Sequence, residues 1–543
     1  MPLMGSLYVG SSGLQTGQNA LNTTTHNLTN IDTVGYVRQQ VLLGNKEYNN
    51  VGNCDVGLNQ VGLGVTYEKV RQVRDFFLDQ TYREEAGRSA FYETSYDVIN
   101  EIETLFGEME GVAFQNALND LWVAVQELKK DPSGAVNQGL LVSKANAFLE
   151  RANAVYSGLI SYQNNLNAQV KGNVDLINKY GKQILELNDK ITKEELGSEE
   201  ANDLRDVRNQ ALDDLAALVN ISYFENADGI VTVSIEGSSF VARDCVYEMG
   251  VVMADETGYY TPVWPQSSDA PVFNMSLPID SSYDTDIGKL KALVLTRGEY
   301  AANYSDLDGD YDQLSKSTIM NIQAEFDNLI HGVTTAINNV LCEEVNPDSN
   351  TYYATAEECP IELFVRLGTP RYNYKEAWTD ADGAHPAGYY YVPEDTTGSP
   401  SDISSMYSAQ NMKINPDLLK QPTLLGFVKE NGEVDQDKAD ALAGIFTTKF
   451  DTLNPNVTKM STFTDYYSDL IGAIANEGSV YKNISKNQAT TVKSVEEARQ
   501  QVIGVSQDEE LTNMIKYQNA YNASSRYINT IDEMLEHLLE RLA

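Results

Sequence analysis

Both ends of the chain carry a seven-residue repeat, so the fold must bury two long stripes that lie at opposite ends of the sequence. Leu7, Leu14, Leu21 and Leu28 share one heptad position, and Leu3, Gly10, Gly17, Thr24 and Ile31 share the neighbouring one. No Asp, Glu, Lys or Arg precedes Asp32. The second position is small or polar and the segment is rich in Gly, Asn and Thr. A helix here is marginal alone and needs a partner for its leucines. At the other end Met514, Tyr521, Ile528, Leu535 and Leu542 recur every seven residues, and Leu511, Ile515, Ile531, Leu538 and Leu539 widen the stripe. No Gly or Pro interrupts 506–543, and Ser506 with Glu509 has the spacing of a capping box, which predicts one long helix. Two readings stand at this point. The ends pair with each other, with other copies, or both; alternatively they are ordinary amphipathic helices packed on a core.

Between the ends the pattern is mostly helical. Segments 97–106 and 113–128 have helical periodicity, the second stopped by Lys130-Asp131-Pro132. Val155, Leu159, Tyr162, Leu166, Val170, Ile177, Ile184, Leu187 and Ile191 step by threes and fours, predicting a long coiled-coil-like helix interrupted only by Gly158, Gly172 and Gly181. A further helix covers about 199–219. Period two then takes over: 221–224, the turn Asp228-Gly229, and Ile230, Val231, Val233 and Ile235 predict a hairpin. Helix returns near Asp286 and runs, with a polar interruption at 306–312, to about Leu341. From Asn346 to Pro416 the chain is rich in Tyr, Pro, Gly and Asp, as in Tyr352-Tyr353 and Gly388-Tyr389-Tyr390-Tyr391. Helix resumes at 439–446 and again from Phe463.

The fold class expected is therefore multidomain α + β. Terminal and body helices form coiled-coil-like bundles from both chain ends, with β-rich domains inserted between them. The expected divisions are an N-terminal helix and extended segment (1–60) pairing with a C-terminal helix (505–543); a helical body (61–219, 286–345 and 439–504); a β-rich insert (220–285); and a tyrosine-rich insert, irregular or β (346–438).

Charge and composition remove several function classes. The 543 residues include 42% hydrophobic ones, enough for packed cores in about three or four domains. A formal net charge of −39 repels phosphate backbones and anionic surfaces, so nucleic-acid binding is not expected. No apolar run is long enough to span a membrane. Cys54, Cys245, Cys342 and Cys359 form no CxxC pair, so neither a zinc site nor a disulfide framework is indicated. Cys342 and Cys359 could close a loop, but buried or free thiols are the preferred reading. His26, His331, His385 and His537 belong to no HExxH, and His537 sits among Glu533, Glu536 and Glu540 on what reads as a solvated helix face. The alternating Asp306, Asp308, Asp310 and Asp312 fail as an EF-hand, because the sixth position is Tyr311 and the twelfth Ser317; a solvated surface turn is expected instead. No GxSxG, Walker A or GxGxxG occurs. Neither catalysis nor a cofactor or metal is expected.

Three short stretches point further. Ser12-Gly13-Leu14, His26-Asn27-Leu28-Thr29-Asn30 and Thr33-Val34-Gly35-Tyr36 resemble the N-terminal signature of flagellar rod, hook and hook-associated proteins. Thr29 stands where that family usually has Ala, and Val34 where it often has Pro. Asn27, Asn30 and Gly35 suit a helix end followed by a turn. Within the family, the hook-associated protein 1 group is similar at Gly64-Val65, Arg71, Arg74-Asp75, Phe77-Leu78, Ile102-Glu103, Phe106-Gly107, 117–121 and Asp131-Pro132. The similarity continues at 202–206 with Arg208, at Ala211-Leu212-Asp213, at Gly504-Val505-Ser506 with 508–510, and at Tyr517-Gln518 with Ala520-Tyr521. It covers roughly 1–345 and 405–543.

The resemblance implies a non-enzymatic structural subunit of the bacterial flagellum, at the junction of hook and filament. It implies a ring of its own copies, contact with hook protein and with a second junction protein on the filament side, and a flagellar export chaperone at the C-terminal helices. It also implies secretion to the extracellular flagellum through flagellar type III export, which reconciles the absence of a basic n-region and apolar h-region at 1–15. The assembly interface is then expected at Leu7, Leu14, Leu21, Leu28, Asn27, Asn30, Gly35, Tyr36, Leu511, Met514, Gln518, Tyr521, Ile528, Leu535 and Leu542. A rival reading is a secreted acidic surface-binding protein whose aromatic insert at 346–416 contacts glycans or host surfaces.

Overall fold

The computed structural model describes residues 3–46, 48–51, 59–107, 113–197, 199–255, 257–342, 352–380, 383–396, 402–429 and 432–542. Its helices are α1 (Leu3–Thr29), α2 (Phe76–Phe106), α3 (Phe114–Lys130), α4 (Ala135–Glu194), α5 (Asn202–Leu218), α6 (Lys289–Arg297), α7 (Tyr311–Leu314), α8 (Thr318–Cys342), α9 (Pro416–Lys420), α10 (Gln436–Ile445), α11 (Phe463–Ile503) and α12 (Gln507–Leu542).

The 60-residue α4 is the spine, about 90 Å long at 1.5 Å per residue. Leu141, Phe148, Val155, Leu159, Leu166, Val170, Ile177, Ile184 and Ile191 line its buried face. α3 and α5 pack along it, α2 packs on α5, and α11 returns from the far end of the chain to pack on α2. Gly181 does not break α4. A Cβ there would lie 2.5 Å from Phe240 Cζ, so this glycine is the seat for a ring from the neighbouring sheet.

α2 begins 21 residues before the helix start expected at 97. Its first turns carry Asp79, Arg83 and Arg88, charged residues that read as surface but are buried as ion pairs. Asp75 caps the helix by accepting from the Phe77 and Leu78 amides, and Gly107 ends it at φ 66°.

The first insert holds two small antiparallel sheets. One pairs Ile221–Glu225, Val231–Ile235 and Ser238–Val241; the other pairs Gly250–Met253, Tyr260–Trp264 and Ala270–Pro271. Gly229 supplies the φ of 76° that the tight hairpin turn requires. The second insert pairs Phe364–Arg366 with Met412–Ile414, and Gly388–Tyr391 with Tyr352–Tyr353 and Tyr372–Lys375. Asn338 of α8, fully buried, pins it. Its amide donates to Phe364 O at 2.7 Å and its Oδ1 accepts from the Leu363 and Phe364 amides.

Two details differ from expectation or resolve it. Asp306 is not on a solvated turn. It completes a capping box with Asn303 and accepts from Tyr300 Oη, while Asp308, Asp310 and Asp312 are exposed. Cys342 is buried and free, Cys359 is also free, and Cys54 lies outside the described residues.

Candidate functional site

The two termini meet. α1 and α12 run antiparallel, with Gly10 against Ile528, Gly13 against Ser524 and Gly17 against Tyr521. Added Cβ atoms at Gly10 and Gly13 would come within 2.6 Å of Ile528 Cγ1 and 2.5 Å of Ser524 Oγ. The small heptad position is thus the contact seam, and it lets the two backbones approach closely. Ser6, Gly10, Thr16, Gly17, Ala20, Thr24 and Asn27 are buried, whereas Leu7, Leu14, Leu21 and Leu28 are half-buried along the flank of the seam. The expectation that the leucines themselves form the centre of the stripe is corrected: a leucine facing α12 would hold the helices apart. A second face of α1 is covered by the antiparallel ribbon of Gln39–Asn45 and Val65–Gln72, where Ser12 Oγ accepts from the Val65 amide.

α12 has little cover besides α1. Of the C-terminal positions expected to matter, Met514, Ile528 and Leu535 are half-buried, and Leu511, Gln518 and Tyr521 are exposed. The side chain of Leu542 lies outside the described residues. Ile515 and Leu539 are 60% and 67% exposed, and Met534 and Leu538 are also open. From Leu511 to Ile531 the only charged residues are Lys516 and Arg526. The exposed face of α1 is made of Tyr8, Ser11, Gln15, Gln18, Asn22, Thr25 and Thr29.

The N-terminal motif is a clasp at the end of α1. Asn27 Oδ1 accepts from Tyr36 Oη at 2.7 Å and from the Gln39 amide at 3.0 Å, while its Nδ2 donates to Gln39 O at 2.9 Å. His26 Nδ1 lies 3.0 Å from the same phenol. Asn30 Nδ2 donates to His26 O and closes the helix end. Gly35 takes φ 80° where the chain crosses Gln210, and a Cβ would meet Gln210 Oε1 at 3.0 Å. Burial first, and then Asp203, Asp206 and Glu510, push the Tyr36 phenol far above its usual range, so it stays a donor.

Below the clasp, a neck joins hairpin to body. The Arg38 amide donates to Ile503 O, and the Arg38 guanidinium pairs with Glu509 at 3.1 Å and Glu510 at 3.0 Å. The Val37 amide and Gln72 Nε2 donate to Asp206, whose carboxyl burial lifts to about 7, with Asp203 adding to the rise. A chain of buried ion pairs follows. Arg74 meets Asp79 at 2.9 Å, Asp79 meets Arg499 at 2.7 Å, Arg499 meets Asp213 at 2.7 Å, and Asp213 meets Arg83 at 2.6 Å. Burial alone would raise Asp79; the hydrogen bond and charge of Arg74, with Arg499 and Arg83, instead hold it below the usual range. This network was not anticipated from sequence, although Arg74, Asp206 and Asp213 fall inside the stretches that carry the family resemblance.

Residues 99–351 match the family described as flagellar hook-associated protein FlgK helical domain. Residues 7–36 match the flagella basal body rod protein family, and 499–541 match the flagellar basal body rod FlgEFG protein C-terminal family. Flagellar hook-associated protein 1 of Bacillus subtilis is 24% identical over 97% of this chain and 96% of its own length. The protein of the same name from Salmonella typhimurium is 24% identical over 97% of this chain and 98% of its own. The chain is similar to flagellar hook-associated protein 1 over nearly its whole length. It is a structural protein of the bacterial flagellum and not an enzyme. The fold agrees: the flagellar hook junction protein FlgK from Burkholderia pseudomallei superposes with a TM-score of 0.54 at 13% identity, covering 77% of this chain and 99% of that one. The two short family matches coincide with α1 plus its clasp and with the end of α11 plus α12, the segments that the fold brings together.

Proposed function

We infer that this chain is a subunit of the junction between flagellar hook and filament and that it assembles through its paired termini. The observation that carries this is the character of the α1–α12 hairpin. In a chain of net charge −39, residues 3–29 of α1 and 511–531 of α12 carry no acid, and α12 leaves Leu511, Ile515, Met534, Leu538 and Leu539 open. Like copies can approach along 3–29 and 511–531 without repulsion between carboxylates, and each stands to bury apolar surface that one copy alone leaves wet. Leu7, Leu14, Leu21 and Leu28, half-buried beside the seam, take part in that contact. So do Gln518, Tyr521, Ile528, Leu535 and Leu542, with Asn27, Asn30, Gly35 and Tyr36 setting the direction in which the hairpin leaves the body.

The partners proposed are the chain's own copies in a ring, hook protein on one side and a second junction protein on the other. The same open face of α12 is what an export chaperone would cover before flagellar type III export carries the chain outside the cell.

The rival reading, a surface-binding insert, gains nothing from the fold. Trp378 is stacked on His385 with Lys375 over its face, and Tyr372 packs on Tyr353 and Tyr391, so these half-buried rings are engaged with one another. Chromosomal deletion tests the junction reading. The expected outcome is cells with hooks that shed unpolymerised flagellin into the medium, and normal filaments would refute it.

A further inference from the structure

We propose that the neck is a pH-controlled hinge: α1, α12 and the two ribbon strands turn on the body as one unit, held in the orientation described while Asp206 carries a proton and released when it ionises. The proposal concerns the single chain, so it stands or falls apart from the junction reading.

The neck is built of polar ties rather than packed helices. α1 packs on α12 and on the ribbon strands, and among the described residues neither terminal helix packs on a body helix to a comparable extent. The chain itself crosses from unit to body twice, at 73–75 and at 504–506. The side-chain ties gather on the first turns of α5 and the residues just before it. Lys69 pairs with Glu200 at 2.7 Å, and Asn202 Nδ2 donates to Val70 O at 3.2 Å. Gln39 Nε2 donates to Asp203 at 3.0 Å, and Gln72 Nε2 donates to Asn202 O at 2.9 Å and to Asp206 at 2.6 Å.

Three clefts ring these ties, each with one wall on the unit and one on the body. One of about 700 Å³ opens between the 31–38 segment and the end of α11. One of about 410 Å³ lies between the end of α1, the ribbon and residues 194–204. One of about 460 Å³ lies between the 30–36 segment and α4 and α5. A small polar interface with space around it lets two bodies move relative to each other, since little apolar area is lost in the turn.

Asp206 is the tie that can be switched. Asp203 is exposed and Glu200 half-buried, but Asp206 is only 7% exposed, closed in by the Val37 amide at 3.2 Å and by Gln72. The groups around it are mixed in sign. Arg74 lies 4.0 Å away and is itself 2.9 Å from Asp79 of α2; Asp203 lies one turn back on α5, with His26 of α1 at 3.7 Å from it; Tyr36 faces both acids, and Arg38 beyond it is held by Glu509 and Glu510 of α12. Burial outweighs Arg74 and the two donors and lifts the carboxyl to about 7. Turning the unit takes Val37 and Gln72 away and wets the carboxyl, which then ionises near its ordinary 3.8. Between those values the held state keeps a proton that the turned state has released, so rising pH favours the turned state. A protonated His26 beside Asp203 acts in the same direction at the acid end.

The test uses the full purified chain with Cys54→Ser, Cys245→Ser, Cys342→Ala and Cys359→Ser, and nitroxide labels at Gln15→Cys on α1 and Lys179→Cys on α4, both exposed. Pulsed electron–electron distances should be narrow and single at pH 5. At pH 8 a second population should appear, the ratio of turned to held molecules rising roughly a hundred-fold between the two. Asp206→Asn, with an unchanged thermal transition, should stay narrow at both. Asp203→Asn removes a neighbour that adds to the lift and should keep the response with its midpoint at lower pH. Identical distributions at pH 5 and 8 overturn the hinge. A response that survives Asp206→Asn passes control to other groups, His26 first, and overturns the role of Asp206. An unmoved midpoint in Asp203→Asn does the same even if Asp206→Asn fails to fold.

Discussion

Arg499 stands on α11 yet closes ion pairs with Asp79 and Asp213, which precede it by 420 and 286 residues. Its guanidinium also lies 4.7 Å over the Tyr82 ring. One side chain thus sets the register of the C-terminal helix against both α2 and α5, and that register decides whether the two chain ends reach the neck at the same height. Buried ion pairs are poor sources of net stability, but removing one partner is costly because the charges left behind have lost their solvent as well. Arg499→Met keeps the length and removes the charge. Asp79 and Asp213 each retain one arginine, so the expected loss is about 3 kcal/mol, concentrated in the docking of α11. Hydrogen exchange should then show 463–503 opening while α4 keeps its protection. Unchanged protection of α11 would show that its apolar face alone holds the register.

At the scale of elements, the seam between α1 and α12 depends on missing side chains. Gly13→Leu would drive a branched side chain into Ser524 at a position where even a Cβ approaches to 2.5 Å, and overpacking of this kind costs about 1–3 kcal/mol or splits the pair. The expected phenotype is swarming reduced to that of the deletion strain, with the purified chain's main thermal transition unchanged. Wild-type swarming would mean that α1 and α12 need not touch in the assembled state. The same seam shows what could be read from sequence and what could not. A heptad repeat identifies the helices and their stripe, and a short motif marks where α1 stops. Neither says which of two adjacent positions lies under the partner, because that depends on interhelix distance, and a glycine's contribution to closeness is invisible to a hydrophobicity pattern. The Asp228-Gly229 hairpin was legible because its turn chemistry is local. The start of α2 was not, since Asp79, Arg83 and Arg88 look like solvent-facing residues until their partners, far away in sequence, are in place. The neck cleft has no local signature at all, being made where residues 30–36 cross α4 and α5.

For the whole molecule, acidity shapes stability against pH. Asp206, Glu325 and Asp327 are lifted to about 7, 7 and 6, burial being the main cause in each. In the unfolded chain these groups ionise near 3.8 to 4.5. Between about pH 4 and 7 the folded state therefore holds protons that the unfolded state has released, and stability falls as pH rises through that window. Self-repulsion of a chain at −39 acts in the same direction. Below about pH 4 the order reverses, because Asp79 and Glu394 are held low by Arg74 and His331 against the effect of burial and must be protonated for those contacts to be lost. The expected profile has its maximum near pH 4. Glu325→Gln separates the buried group from the overall charge. Glu325 Oε1 accepts from both Asn321 at 3.2 Å and Asn454 at 2.9 Å, a role the amide oxygen of glutamine can keep. The substitution removes the unfavourable charge of a buried carboxylate near Glu477. Denaturant unfolding should show the variant more stable than the natural chain by about 1–3 kcal/mol at pH 8, with the gain shrinking toward zero at pH 5. An equal gain at both values would assign the effect to packing rather than to the proton.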